Sequence, residues 1–98
     1  MVDVRETPGF SRWLAALSDQ RARLHIVRRI SRVAAGNFGD AKSVGGAVSE
    51  LRVDYGPGYR VYFTRRGKTV VILLCGGDKR TQDKDIKKAQ DLAATLED

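Results

Sequence analysis

The chain has 98 residues, 42% of them hydrophobic and 31% charged, which is ordinary globular usage and excludes a fibrous repeat or wholesale disorder. Its length is that of a single domain, here taken as residues 1–98, able to bury roughly 60 to 70% of the surface of the unfolded chain. Its formal net charge of +6 favours phosphate-rich or acidic partners. The excess lies in the first two thirds: residues 79–98 carry five Lys/Arg against five Asp/Glu, whereas residues 1–36 carry seven against three. One cysteine, Cys75, allows no internal disulfide and reads as a small core hydrophobe, and no Cys/His group has zinc-ligand spacing. The first residues lack the apolar stretch of a signal peptide and the longest apolar run is Val70 to Cys75, so the expectation is a cytoplasmic protein with no membrane partner.

In chain order, Val2 and Val4 alternate with polar residues and predict a short edge strand over residues 1–5. Thr7 and Pro8 suit the N-cap and first position of a helix whose apolar residues recur as Phe10, Trp13, Leu14 and Leu17. Ser18 and Asp19 end it and cap a second helix to about Ala35, stopped by Gly36 and Asn37, giving an αα-hairpin. On a helical wheel Ile26, Val27, Ile30, Val33 and Ala34 face one way and Arg21, His25, Arg28 and Arg32 the other. That basic row is either a solvated face or a set of phosphate contacts, and His25 within it reads as a surface histidine.

Residues 37–47 have no period and read as a loop. A hairpin follows: Leu51, Val53 and Tyr55 alternate with Glu50, Arg52 and Asp54, Gly56, Pro57 and Gly58 turn the chain, and Tyr59, Val61 and Phe63 alternate with Arg60, Tyr62 and Thr64. Arg65, Arg66 and Gly67 predict a second turn before a buried strand from Thr69 to Cys75, broken by Gly76 and Gly77. Thr81 is placed as the cap of a last helix whose core stripe is Ile86, Ala89, Leu92, Ala93 and Leu96. The expected fold is α+β, in the order β-α-α-β-β-β-α, a mostly antiparallel twisted sheet with helices packed on one face.

Helices on one face would leave the other partly open, and there the alternation collects Glu50, Arg52, Arg60, Tyr62 and Thr64, with Lys79 and Arg80 at the rim. The same alternation occurs in any half-solvated antiparallel sheet. As a site, it has the cations that RNA cleavage by its own 2′-hydroxyl needs, because fixed positive donors stabilise charge building on the phosphoryl oxygens. Arginine suits the task because its planar fork is always charged. Arg52, Arg60, Tyr62 and Lys79 are therefore the candidate catalytic residues, and Arg80, Arg21, Arg28 and Arg32 the candidate RNA contacts. Asp78, Lys79 and Tyr62 are the available proton carriers; no carboxylate cluster suits magnesium and no nucleotide-binding glycine motif is present, so no metal and no cofactor is expected.

The stretch Glu50-Leu-Arg-Val-Asp-Tyr-Gly-Pro-Gly-Tyr-Arg-Val-Tyr-Phe63, then Leu73-Leu-Cys-Gly-Gly-Asp-Lys-Arg-Thr-Gln82 and a helix with Asp85, Ile86, Lys87 and Ala89, resembles the HigB-like addiction module killer proteins of the RelE/ParE superfamily. The opening Arg5-Glu-Thr and Gly36-Asn-Phe-Gly-Asp40 fit the same likeness, which covers nearly the whole chain. The resemblance implies a RelE-like fold, ribosome-dependent endonucleolytic cleavage of mRNA, and a cognate antitoxin, a helix-turn-helix protein encoded nearby. By position, Arg60 matches the family's strand arginine, Arg52 a basic residue of the preceding strand, and Lys79 or Arg80 a basic residue after the last strand. Glu50 stands where RelE carries a lysine, and no Tyr or His lies near the C-terminus. The alternatives are a ParE-like gyrase inhibitor, which shares the fold, and a non-catalytic basic RNA- or DNA-binding module.

Overall fold

The computed structural model describes residues 1–96. Strand β1 (Asp3–Glu6) leads through helices α1 (Pro8–Ala16) and α2 (Gln20–Ala34) to strands β2 (Ala41–Gly45), β3 (Val48–Val53), β4 (Tyr59–Arg66) and β5 (Val70–Asp78); a 3-10 turn (Lys79–Thr81) opens helix α3 (Gln82–Thr95). The strands form one five-stranded sheet in the order β1-β5-β4-β3-β2. β1 lies parallel to β5 and the other pairs are antiparallel, so the fold is α+β on a mixed sheet.

Local chemistry sets the element ends much as the sequence predicts. Thr7 Oγ1 accepts from Phe10 N at 3.1 Å and donates to the Leu74 carbonyl at 2.8 Å, so a single hydroxyl both caps α1 and pins it to β5. Asp19 caps α2 by accepting from the backbone of Arg21 and Ala22. α2 buries Ala22, Ile26 and Val33. Its core stripe is narrower than the wheel predicts, because Val27, placed on the core side, stays exposed along with Leu24. One face of the sheet is sealed by α1 and α2: Phe10, Ala22, Ile26 and Val33 pack against Leu51, Val53, Tyr59, Val61, Phe63, Val71 and Leu73.

Four expectations are corrected. Residues 37–47 are not all loop: Ala41 to Gly45 pair with β3, and a register shift between Ser43 and Gly45 at this edge, together with small and polar residues, hides the period-2 signal. β4 runs through Arg65 and Arg66, which pair with Val71 and Val70, so the turn comes later than predicted. The helices do not share a face: α3 lies on the opposite side, where Ala89 and Ala93 pack with Val48, Tyr62, Leu74 and Cys75. The predicted stripe of α3 is present, but the surface it covers is the one expected to be open.

The fourth correction concerns Gly76 and Gly77, which carry β5 onward to Asp78 instead of breaking it. A register shift opposite Tyr62 and Phe63 inserts Leu74, after which the alternation of β5 resumes with Gly76 toward α1 and Gly77 toward α3. A Cβ on Gly76 would fall within the Trp13 ring, and one on Gly77 would overlap the Asp85 carboxylate. The pair of glycines therefore marks close approach of helices to both faces of one strand.

Candidate functional site

Helix α3 covers only part of its face of the sheet. Its N-terminal end meets β3 through Gln82, and its later turns reach the opposite end of the strands, where Arg66 Nη2 donates to the Ala93 carbonyl and Gln90 Nε2 to the Val44 carbonyl. The end near the β3–β4 turn stays uncovered. There Arg52, Arg60 and Lys79, with Asp40, Asp54 and the turn residues Gly56, Pro57 and Gly58, line a cleft of about 380 Å³. Gly58 closes the turn beside Arg60 and Lys79 at a φ of +83°, a backbone conformation that favours glycine.

Register explains the convergence. Arg52 pairs directly with Arg60 across the β3–β4 ladder, and Arg60 pairs with Gly77 of β5, two residues before Lys79. Two like charges opposite one another on a sheet repel. The neutralising group is Glu50, two residues before Arg52 and therefore on the same face. Glu50 is 1% exposed. Its Oε2 accepts from Arg52 Nε at 3.0 Å and lies 3.9 Å from Arg60 Nε, and its Oε1 accepts from Gln82 Nε2 at 2.9 Å. A carboxylate so buried is tolerable only when paired and hydrogen-bonded, and here it is both.

The cleft is not simply positive, as the alternation predicts. Asp40 Oδ1 lies 3.9 Å from Arg52 Nη1, and Asp54 stands on the same wall. Arg52, Arg60 and Lys79 are thus balanced by Glu50 beneath and Asp40 and Asp54 at the rim. Arg29 of α2 belongs to the frame: it donates to the carbonyls of Arg52, Phe38 and Asp40, holding β3 to the segment before β2, and burial lowers its pKa from the usual guanidinium value.

The other candidate residues separate. Tyr62 is fully buried beneath α3; its hydroxyl has no hydrogen-bond partner among the described residues, and burial, with Glu50 next, raises its pKa far above the ordinary phenol value. It cannot touch a substrate in the cleft and is withdrawn as a catalytic residue. Thr64 is likewise buried, donating to the Ala47 carbonyl at 2.6 Å. Arg80 lies outside the cleft lining, its guanidinium held by Asp78 at 2.9 Å, and that hydrogen bond draws the Asp78 carboxyl below its usual range. Thr81 occupies the N-cap position of α3 but makes no side-chain cap; its hydroxyl donates to Asp85 Oδ2 at 2.5 Å. Burial pushes the Cys75 thiol up to about 11, which keeps it protonated and inert at neutral pH.

On α2, Arg21, His25, Arg28 and Arg32 are all exposed. Arg28 and Arg32 line a second groove of about 290 Å³ with His25, Arg29, Val53 and Asp54, and His25 stacks on Tyr55 with ring centroids 4.4 Å apart. Asp54 borders both this groove and the cleft. Arg21 is not part of that lining.

A family model described as phage derived protein Gp49-like (DUF891) matches residues 12–96. The chain belongs to the Gp49-like family. The Gp49-like match takes in every residue that lines the cleft, together with Glu50, Gln82 and the basic row of α2, and leaves out β1 and the Thr7 cap. A relative from Haemophilus influenzae, called an uncharacterized protein, is 52% identical over 95 residues, covering 97% of this chain and 96% of its own length. Among the described residues of this Gp49-like chain, no helix is long and apolar enough to cross a membrane.

Proposed function

We propose that this protein is the toxin of a type II toxin–antitoxin pair, an endoribonuclease of the RelE/HigB kind that cuts mRNA on the ribosome and is neutralised by a cognate antitoxin. The observation that carries the reading is the convergence of Arg52, Arg60 and Lys79 on one uncovered cleft of a basic α+β domain. Membership of a phage-derived family with toxin–antitoxin associations supports it.

In the proposed reaction the 2′-hydroxyl of one nucleotide attacks the adjacent phosphorus. The new P–O2′ bond forms as the P–O5′ bond breaks, leaving a 2′,3′-cyclic phosphate and a 5′-hydroxyl. One proton leaves O2′ and one arrives at O5′, so neither metal nor cofactor enters the balance. Arg52 and Arg60 meet the charge that builds on the non-bridging oxygens, in the manner of a preorganised oxyanion site. Lys79, exposed on the lip of the cleft, would donate to the departing 5′ oxygen. Arg28 and Arg32 extend the cationic track along the strand through the neighbouring groove, whereas Arg80, held by Asp78, is a weaker candidate for RNA contact.

Inducing the gene should arrest growth and create new mRNA 5′ ends that vanish when translation is blocked. New ends that persist without translation would remove the ribosome from the account. Growth arrest with a DNA-damage response and no new ends would transfer the assignment to a gyrase-directed toxin. Co-expression of a neighbouring helix-turn-helix protein should restore growth.

A further inference from the structure

The buried carboxylate of Glu50 is unexplained by the catalytic set: no step of the proposed reaction uses it, yet the fold holds it beneath the cleft at 1% exposure. Its contacts are directional. Oε2 takes Arg52 through Nε at 3.0 Å and faces Arg60 Nε at 3.9 Å, while Oε1 is held by Gln82 Nε2 at 2.9 Å from the first residue of α3. In both arginines it is the inner nitrogen that faces the carboxylate, hydrogen-bonded to it in Arg52 and, in Arg60, buried beside it with no hydrogen-bond partner among the described residues. Arg60 Nη1 rests on the Tyr59 carbonyl at 3.1 Å, and the Nη2 groups of Arg52 and Arg60 hold no hydrogen bond among the described residues.

We propose that Glu50 is a positioning residue: it fixes the plane of the Arg52 guanidinium through a hydrogen bond to Nε and draws Arg60 toward itself by charge, so that the outer nitrogens of the two arginines bind one phosphate of an RNA strand together, and Gln82 makes that alignment depend on the docking of α3. The inference rests on the nuclease reading. Three physical points support it. Two arginines paired across a ladder would splay apart without an anion between them. The Arg52 guanidinium, held at Nε, presents its remaining fork with little rotamer freedom left to lose on binding. And Glu50, sealed below the arginines, neutralises their mutual repulsion without occupying the mouth of the cleft.

The test uses the full chain with arginine side chains labelled with nitrogen-15, and in parallel a single-turnover cleavage assay on ribosome-bound mRNA over a range of pH. In the wild-type protein the Nε–H signals of Arg52, hydrogen-bonded to Glu50, and of Arg60, buried beside it, should be resolved and slow to exchange with water. Glu50→Gln, nearly isosteric, should remain folded by thermal melting, release those two signals toward free arginine, and slow cleavage by about 100-fold without changing the shape of the pH profile. Gln82→Ala, which loosens the carboxylate without removing it, should move the Arg52 signal part of the way and slow cleavage by less. Unmoved arginine signals or unaltered cleavage in Glu50→Gln would overturn the proposal. Slow cleavage with unmoved signals and a lost acidic limb would also overturn it, by making Glu50 a proton acceptor. If the wild-type protein cuts no RNA, the nuclease reading fails by itself, and the arginine signals still decide whether Glu50 aligns the pair.

Discussion

The two faces of the sheet are built on different terms. Against α1 and α2 the strands present Leu51, Val53, Tyr59, Val61, Phe63, Val71 and Leu73, and the helices answer with Phe10, Ile26 and Val33, so that face is closed by bulk. Against α3 they present Val48, Glu50, Tyr62, Thr64, Leu74 and Cys75, and the helix answers mainly with Ala89 and Ala93. Small residues let α3 sit close, but it covers only one end of the strands, and the polar remainder becomes the cleft. The difference teaches that a face alternating polar and apolar residues need be neither a solvated surface nor a site throughout. Along this one, Tyr62 is core while Arg60, two residues away, lines the opening.

Substitutions on the two faces should separate accordingly. Phe10→Ala, at a fully buried position of the bulk-closed face, should cost about 3 to 5 kcal/mol of unfolding free energy by denaturant titration. A loss well below that range would mean the core collapses onto the gap. Gly76→Ala is next: its new Cβ meets the Trp13 ring, and overpacking of this kind costs about 1 to 3 kcal/mol, so a midpoint shift in the same titration should be plain. Wild-type stability there would contradict the close approach of α1 to β5. Thr7→Ala removes both the α1 cap and the hydroxyl's bond to Leu74 and should cost about 1 kcal/mol, read as a lower thermal midpoint.

Tyr62→Phe should have the smallest effect of all. Its hydroxyl is buried without a partner among the described residues, and deleting such a group is close to neutral or mildly stabilising. Marked destabilisation would show that the hydroxyl is bonded in solution.

How far the sequence carried depends on where its periodic signals had competition. The αα-hairpin, the β3–β4 hairpin and the stripe of α3 were legible because Phe10, Leu51, Val61 and Ala89 recur at the period of their own element. Strand β2 was not, because Lys42, Ser43 and Gly45 at a bulged edge leave no alternation to read. Which face α3 takes is set by tertiary packing, not by its own stripe. The one local hint was Gly76-Gly77, read as a strand break; two adjacent glycines on opposite faces of a strand admit a helix on each side.

Of the candidate site, Arg52, Arg60 and Lys79 were found from alternation and resemblance together, and the structure brings them to one cleft. Tyr62 was misplaced for the same reason as α3. Glu50 was visible on the correct face, but no pattern in a sequence distinguishes a carboxylate that will be buried between two arginines from one in water. Gln82, thirty-two positions away, becomes its partner only through the fold.

The central claim is that function resides in the uncovered cleft and not beneath α3. The most direct measurement compares Arg60→Ala and Tyr62→Phe side by side, scoring growth arrest on induction with folding checked by circular dichroism. The account predicts that Arg60→Ala folds and loses toxicity, whereas Tyr62→Phe folds and stays fully toxic. Toxicity retained by Arg60→Ala, or abolished in a folded Tyr62→Phe protein, would contradict it.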